Sequence, residues 1–92
     1  MKRMELIANR SAEIEIVNTL RNNINDLYYS LLPQIPGGEQ PNYQKKIVWT
    51  NLNFLLICFL EDHDAVKAQA AICLLKEKLP GVGIKIYFTE VS

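Results

Sequence analysis

The stretch that decides the fold is FLLICFLEDHDAVKAQAAICLLKEKLPGVGIKIYFTE, residues 54–90. Its first part, FLLICFL (54–60), is apolar throughout, which predicts a central strand that is covered on both faces. A helix follows, and Pro80 and Gly81 end it. The last part alternates apolar with polar residues and predicts a strand over 83–91. The helix would bury a stripe made of Ala65, Ala68, Ile72, Leu75 and Leu79.

The first half of the chain repeats this order with weaker patterns. Alternation over 3–8 predicts a strand, and Ser11 is the expected N-cap of an amphipathic helix over about 12–23. A second strand follows over about 27–33, where Pro33 removes a backbone donor and weakens pairing except at a sheet edge. The order β-α-β-β-α-β predicts one α+β domain over the whole chain. We expect a ferredoxin-like sandwich, with an antiparallel sheet and both helices on one face.

A long insert, QIPGGEQPNYQKK at about 34–46, separates the second strand from a third one. The third strand is predicted over 46–61, with a bend at TNLN. A hairpin needs only about two to five residues to turn. Gly37 and Gly38 give the insert backbone freedom, and its prolines resist ladder pairing. Such a loop is either disordered or a functional arm that a ligand or partner orders, and both interpretations stay open.

One face of the predicted sheet is not covered by the chain itself. Both helices lie on the other face, yet the third strand is apolar on both sides. A domain of this size buries only roughly 60–65% of its surface when it folds. A second copy of the same sheet is the expected cover, which predicts self-association.

The charge balance narrows the classes of partner. Ten basic residues offset ten acidic ones, which argues against a nucleic-acid-binding surface and against a polybasic membrane anchor. The apolar run over 54–60 is too short to span a bilayer, and the N-terminal segment lacks the apolar core of a signal peptide. We therefore expect a cytoplasmic protein with no nucleic-acid partner and no membrane span.

Few residues are candidates for catalysis or metal binding. Cys58 and Cys73 lie in apolar runs, which favours buried, reduced thiols over a disulfide or a metal site. His63 stands at the predicted start of the second helix, where Asp62 or Asp64 is the expected N-cap. Capping explains this EDHD stretch most simply, with a metal ligand or a general base as the alternative. We predict no catalytic and no metal-binding residue, and the sequence names no cofactor.

Two further features each have a structural and a functional interpretation. PGVGIK (80–85) stops a helix and turns into the last strand, but its backbone amides and Lys85 could also meet an anion. Aromatic residues on the predicted strands could stack on RNA bases, but the RNA-recognition pattern is absent, and core or interface packing is the better account. These aromatic residues are Tyr28, Tyr29, Phe54, Phe59, Tyr87 and Phe88.

Nearly the whole chain resembles the small PII-like proteins, which are relatives of the nitrogen-regulatory PII signal proteins. The likeness is carried by MKRMELIANRS before an amphipathic helix, by the insert, by VWTNLNFLL (48–56) and by LPGVGIKIYFTE (79–90). It implies a ferredoxin-like fold, a homotrimer and an insert that corresponds to the T-loop. It also implies ligands that bind in the clefts between subunits, near the base of that loop.

The resemblance extends to individual positions. The base of the loop corresponds to Gln34 on one side and to Lys45 and Lys46 on the other. The turn that supplies backbone amides corresponds to Gly81 and Gly83, and Lys85 is the basic residue after it. PGVGIK is shorter than the glycine-rich turn of the PII proteins, and the insert is shorter than their T-loop. The insert also lacks the usual context of the modified tyrosine, although Tyr43 lies within it. These differences argue against the binding of ATP and 2-oxoglutarate. The implied ligand-binding residues are Gln34, Lys45, Lys46, Gly81, Gly83 and Lys85.

The resulting hypothesis is a non-enzymatic PII-like regulatory protein. It would be a homotrimer that senses a small ligand, anionic or a nucleotide, at its intersubunit clefts and acts on an unknown protein target. The alternative is a metal-responsive trimer like CutA, of the same fold, in which Cys58, Cys73 and His63 would have to converge. A third hypothesis, an enzyme, rests on His63 alone.

Overall fold

A four-stranded sheet with two helices makes up the part of the chain that this computed structural model describes, residues 1–35 and 53–91. The β-α-β-β-α-β order agrees with the sequence pattern. In chain order the elements are β1 (Lys2–Asn9), a 3₁₀ turn (Arg10–Ala12), α1 (Glu13–Asn23), β2 (Tyr29–Ile35), β3 (Asn53–Leu60), α2 (Asp62–Lys78) and β4 (Ile84–Glu90).

The strands lie in the order β2-β3-β1-β4, so that β1 and β3 are central and β2 and β4 are the edges. β1 pairs antiparallel with β3 and with β4, and β2 pairs antiparallel with β3. In this register Leu6 of β1 lies between Leu56 of β3 and Ile86 of β4. The predicted ferredoxin-like fold with an antiparallel sheet is therefore confirmed.

The core fills the space between the two helices and one face of the sheet. Every second residue of β1 and β3 is buried there, and both helices bury one stripe against it. The predicted stripe of α2 is confirmed, with Leu79 only partly buried. Neither of the two described helices is long and apolar enough to cross a membrane. The largest fully buried side chains are Phe54, Met4, Leu6, Ile16, Leu20, Leu56 and Ile72.

The predicted N-caps are wrong at both helices. Ser11 does not cap α1, because the chain enters that helix through the 3₁₀ turn, where the Asn9 side chain accepts a hydrogen bond from the Ser11 amide at 2.9 Å. The N-cap of α2 is Glu61, which makes no side-chain capping bond. Asp62 and Asp64 lie in the first turn instead, where their charges still complement the helix dipole.

Strand boundaries differ from the prediction on both sides of the insert. β2 begins two residues later than expected, at Tyr29, and continues to Ile35, so that Gln34 belongs to the strand. β3 is described from Asn53 onward. The rest of the predicted insert, the start of the third strand and most of the TNLN bend lie outside the described residues.

β2 is an irregular edge strand. Its pairing with β3 shifts register between Leu32 and Ile35, which brackets Pro33. A proline has no amide to donate to the ladder, so it fits an edge strand or a bulge. The predicted effect of Pro33 on pairing is confirmed.

The two cysteines have different surroundings. Cys58 is buried in β3, as expected, but Cys73 is exposed on α2. The preceding residue, Ile72, points into the core, and one step along a helix rotates the side chain by about 100°. The prediction of a buried thiol is therefore wrong for Cys73, which sits on the outer side of the helix.

Candidate functional site

The implied ligand-binding residues that the structure describes lie at one end of the sheet. We name it the loop end, because β2 finishes there before the insert and β3 begins there after it. Antiparallel pairing places the last residues of β1 and the first residues of β4 at the same end. Gln34 is the last residue but one of β2, and Lys85 is the second of β4. Lys45 and Lys46 lie outside the described residues.

Within one chain these residues stand on opposite edges of the sheet. Gln34 belongs to the edge strand β2, whereas Gly81, Gly83 and Lys85 lead into the other edge strand, β4. Neighbouring strands are about 4.8 Å apart, so three steps across the sheet separate the two edges by roughly 14 Å. One chain therefore does not bring Gln34 to the turn that precedes β4.

The turn between α2 and β4 is open to its surroundings. Gly81 and Gly83 are exposed, and a Cβ added to either would meet no heavy atom of the described residues within 4 Å. Val82 lies between them, packs against the core and donates its amide to the Leu79 carbonyl at 3.0 Å. The Lys85 side chain is exposed. Packing within the described residues thus leaves room for a side chain at both glycines.

The face of the sheet opposite the helices is here named the open face. Side chains alternate between the two faces of a strand, so the register fixes which neighbours share this face. Ile7, for example, lies between Leu55 of β3 and Lys85 of β4, and Leu55 lies beside Leu32 of β2. The open face consists of Arg3, Glu5, Ile7, Ser30, Leu32, Leu55, Ile57, Phe59, Lys85, Tyr87 and Thr89.

Large apolar side chains on the open face remain in contact with water. The exposed fraction is 55% for Phe59, 52% for Tyr87 and 46% for Leu32. Removing apolar surface from water stabilises a protein by about 25 cal/mol per Å². The predicted uncovered apolar face is therefore present in the single chain, and covering it would be favourable.

One pair of opposite charges lies on the central strand of the open face. Arg3 and Glu5 alternate with the buried Met4 and Leu6 of β1. Arg3 Nη2 is 2.8 Å from Glu5 Oε2, and Arg3 Nε is buried without a hydrogen-bond partner among the described residues. Sequence reasoning missed this pair. The sequence feature that could have indicated it is a pair of opposite charges, two residues apart, on a strand predicted to pair with an apolar strand.

The same architecture occurs in proteins of known structure. No protein-family model and no curated protein matches the sequence. Among solved structures, TTHA0516 from Thermus thermophilus, which is described as a PII-like signalling protein, matches with a TM-score of 0.69 at 19% identity. The match covers 98% of this chain and 85% of that one. The chain has the PII-like fold. The resemblance inferred from the sequence is confirmed at this level.

A second protein shares this PII-like fold. CPII from Thiomonas intermedia, a nitrogen-regulatory PII-like protein, matches in its apo form with a TM-score of 0.64 at 11% identity, over 98% of this chain and 89% of CPII. CPII bound to ADP, AMP and bicarbonate matches with a TM-score of 0.63 at 8% identity, over 99% and 91%. At sequence identities this low, the structural matches establish the fold alone.

At the end of the PII-like sheet opposite the loop end, charged groups of both signs form a cluster. The Lys2 ammonium contacts the Glu90 carboxylate and lies 4.0 Å from Asp62 Oδ1, and the Met1 ammonium lies 3.2 Å from the same Asp62 oxygen. The hydrogen bond from Lys2 lowers the pKa of Glu90 and raises that of Lys2 itself. The hydrogen bond from the Met1 ammonium lowers the pKa of Asp62. All of these groups are in contact with solvent, which screens their interaction.

The residues of the alternative metal site do not converge within one chain of this fold. Cys58 faces the core, where burial raises the pKa of its thiol to about 11. His63 is exposed at the start of α2, with Nε2 3.5 Å from Asp64 Oδ1, and Cys73 lies about 15 Å further along the helix axis. Among the described residues, no three His, Cys, Asp or Glu side chains are placed to hold a metal ion together.

A shallow groove of about 200 Å³ lies on the helix side of the molecule. It is formed between the two helices and contains none of the implied ligand-binding residues. Its lining residues are Thr19, Asn23, Ala71, Leu74, Leu75 and Lys78.

Proposed function

We propose that this chain is a non-enzymatic PII-like regulatory protein of the cytoplasm. It assembles as a homotrimer and senses a small anionic ligand, nucleotides included, in the clefts between its subunits. Its output is the control of a protein target, without nucleic-acid binding. The common fold with CPII supports the proposal, because CPII has been seen with ADP, AMP and bicarbonate bound.

The observation that carries the proposal is the split position of the implied ligand-binding residues. Gln34 and the turn at 81–85 share one end of the sheet but occupy its two opposite edges. We infer that a small ligand contacts both by binding between two chains. In the proposed trimer the β2 edge of one copy lies next to the β4 edge of another, and this contact repeats at every interface of the closed ring. Lys45 and Lys46, at the far base of the insert, would join the same cleft.

The residues of the cleft suit an anion. Gly81 and Gly83 carry no side chain, so a ligand can approach the backbone amides of the turn. Lys85 is exposed beside them and supplies a compact positive charge of the kind that binds phosphate. Because the chain has no net charge, these groups give local recognition rather than a general attraction for polyanions.

Sedimentation equilibrium tests the assembly. We expect a single species of three times 10.5 kDa at micromolar concentration. A monodisperse monomer under these conditions would remove the clefts, and the proposed ligand site with them.

Thermal unfolding with a ligand panel tests the site. The panel contains ADP, AMP, ATP and bicarbonate, with Cu²⁺ and Zn²⁺ as the metal arm. A ligand at a hundred times its dissociation constant should stabilise the protein by about 2.7 kcal/mol. We expect Gly83→Ala to keep the fold, since its Cβ has open space, and to lose the anion response, whereas the exposed control Gln69→Ala keeps both. Stabilisation by metals alone would favour the CutA-like alternative.

A further inference from the structure

We propose that Arg3 and Glu5 form ion pairs between subunits, Arg3 of one copy with Glu5 of the next, at the centre of the covered open face. The alternating charges fix the register in which the sheets meet. This inference rests on the self-association proposed above and names contacts that it uses. The partner is a second copy of this chain.

The position of the pair is the first support. β1 is a central strand, so Arg3 and Glu5 have strands on both sides. The register places Arg3 between Phe59 and Thr89, and Glu5 between Ile57 and Tyr87. The two charges are thus surrounded mostly by apolar or aromatic side chains. Any partner that covers Phe59 and Tyr87 also covers the charges.

The unused hydrogen-bonding capacity of Arg3 is the second support. A guanidinium has five N–H donors, and a carboxylate can accept a bidentate pair of bonds. Arg3 Nη2 lies 2.8 Å from Glu5 Oε2, while the buried Nε has no acceptor among the described residues. When a partner removes the remaining water, each charge needs full compensation, because an unpaired buried charge is strongly destabilising. A second carboxylate, on the partner, can accept from the guanidinium N–H groups of Arg3 that are still exposed.

Charge complementarity identifies the partner as another copy. Arg3 and Glu5 are neighbours on the open face and carry opposite charges. When a second copy of this face is displaced along the strand by the distance between Arg3 and Glu5, its Glu5 lies opposite Arg3. A polyanion would be repelled by Glu5, and a purely apolar surface would leave both charges without a second partner. In a closed ring, each Arg3 can meet the Glu5 of its neighbour, and the contact repeats until the ring closes.

These ion pairs would determine how the subunits align rather than how tightly they associate. Apolar sheet faces can slide past one another with little loss of contact, whereas misaligned like charges repel each other. Replacing a buried ion pair with apolar groups is often neutral for stability, while breaking one partner is costly. The pair therefore selects one alignment among several that the apolar residues alone would tolerate.

The test uses charge reversal in the full chain. Arg3→Glu leaves two acids on the open face, and Glu5→Arg leaves two bases. We expect each variant alone to dissociate at concentrations at least about tenfold higher than wild type. An equimolar mixture should form mixed trimers more tightly than either variant alone but less tightly than wild type, because a ring of three that contains both variants keeps one contact between like charges. Native mass spectrometry identifies the mixed species, because one partner carries an isotope label. Lys67→Glu and Glu77→Arg, on the exposed side of α2, are the matched controls and should assemble like wild type.

Circular dichroism shows whether the single variants keep the fold. If they do not, the double reversal Arg3→Glu with Glu5→Arg carries the test, because it restores the pair and should assemble with itself. Single variants that assemble like wild type would overturn the inference and leave self-association intact. A mixture of folded variants that assembles no more tightly than either variant alone would also overturn it. A monomeric wild type would overturn both this inference and the proposed trimer.

Discussion

The two faces of the sheet are built from adjacent residues, yet only one of them is complete in a single chain. On β1, Met4, Leu6 and Ala8 are at most 1% exposed, because both helices cover them. Their neighbours Arg3, Glu5 and Ile7 alternate with them and are only partly buried. The same strand therefore supplies a finished core and an unfinished surface. The difference indicates where the molecule ends and where an assembly begins.

The largest expected effect comes from comparing substitutions at two neighbouring residues that lie on opposite faces of the sheet. Leu56 is fully buried under the helices, and Ile57 is its neighbour on the open face. We expect Leu56→Ala to lower the free energy of unfolding by about 2–5 kcal/mol at every protein concentration, because it leaves a cavity. Ile57→Ala should lower the free energy of unfolding by an amount that depends on protein concentration, because a second copy of the chain covers Ile57. Urea unfolding over a hundredfold concentration range measures both, and a loss for Ile57→Ala that is independent of concentration would contradict an assembled open face.

A truncation of the most exposed aromatic residue of the open face sharpens the comparison. We expect Phe59→Ser to weaken self-association by about 2 kcal/mol, or roughly 30-fold, because aromatic residues at the centre of interfaces contribute most. Analytical ultracentrifugation gives the dissociation constant. Val66→Ser is the matched control, since Val66 is exposed on the helix side. Equal effects from the two substitutions would mean that the sheet face has no special role.

The loop end extends the comparison to ligand binding. Lys85 lies on the open face at the margin of the sheet. We expect Lys85→Gln to weaken binding of an anionic ligand by roughly tenfold, about 1.4 kcal/mol, without changing the oligomer. Isothermal titration with ADP measures this effect, with Lys67→Gln as the control on α2. Unchanged affinity would place the anion elsewhere.

The smallest expected effect concerns the ion pair between Lys2 and Glu90, at the end of the sheet opposite the loop end. Glu90 has its pKa lowered from 4.5 by Lys2, so its stabilising contribution is present above pH 4.5 and is lost as the pH falls through the lowered value. Lys2 has its pKa raised from 10.5, so its contribution is present below pH 10.5 and is lost at more alkaline pH. Glu90→Gln should flatten the acid limb of the stability curve slightly. Thermal melts between about pH 2 and 7 test this, and an unchanged acid limb would contradict the assignment.

The sequence predicts the elements well where periodicity alone decides them. Alternation marks β1 and β4, and the stripe from Ala65 to Leu75 marks the buried side of α2. Helix starts are predicted poorly, because a side chain caps a helix only when the backbone just before it adopts the right angle. At α1 a 3₁₀ turn intervenes: Asn9 caps that turn, and the N-cap of α1 itself is Ala12, which makes no side-chain capping bond.

The sequence predicts at which end of the sheet the candidate site lies, but not how far apart its residues are. Sequence order places Gln34 just after the predicted second strand and Gly83 at the start of the predicted last strand, and both lie at the loop end. Their distance across the sheet depends on which strands pair, and this is decided by contacts far apart in the chain. The Arg3–Glu5 pair is hidden for the same reason, since its apolar surroundings come from β3 and β4. Lys45 and Lys46 lie outside the described residues, so their place in the site stays a prediction.

The irregular pairing of β2 around Pro33 affects how copies of the chain can aggregate. A straight, regular edge strand offers a continuous row of donors and acceptors to any other strand, which is the route to fibrils. In β2 the irregularity around Pro33 distorts the strand near its last residue, Ile35, and so disturbs the regular spacing of that row. Growth by adding strands along this edge is thereby disfavoured, which directs association towards contacts that close on themselves.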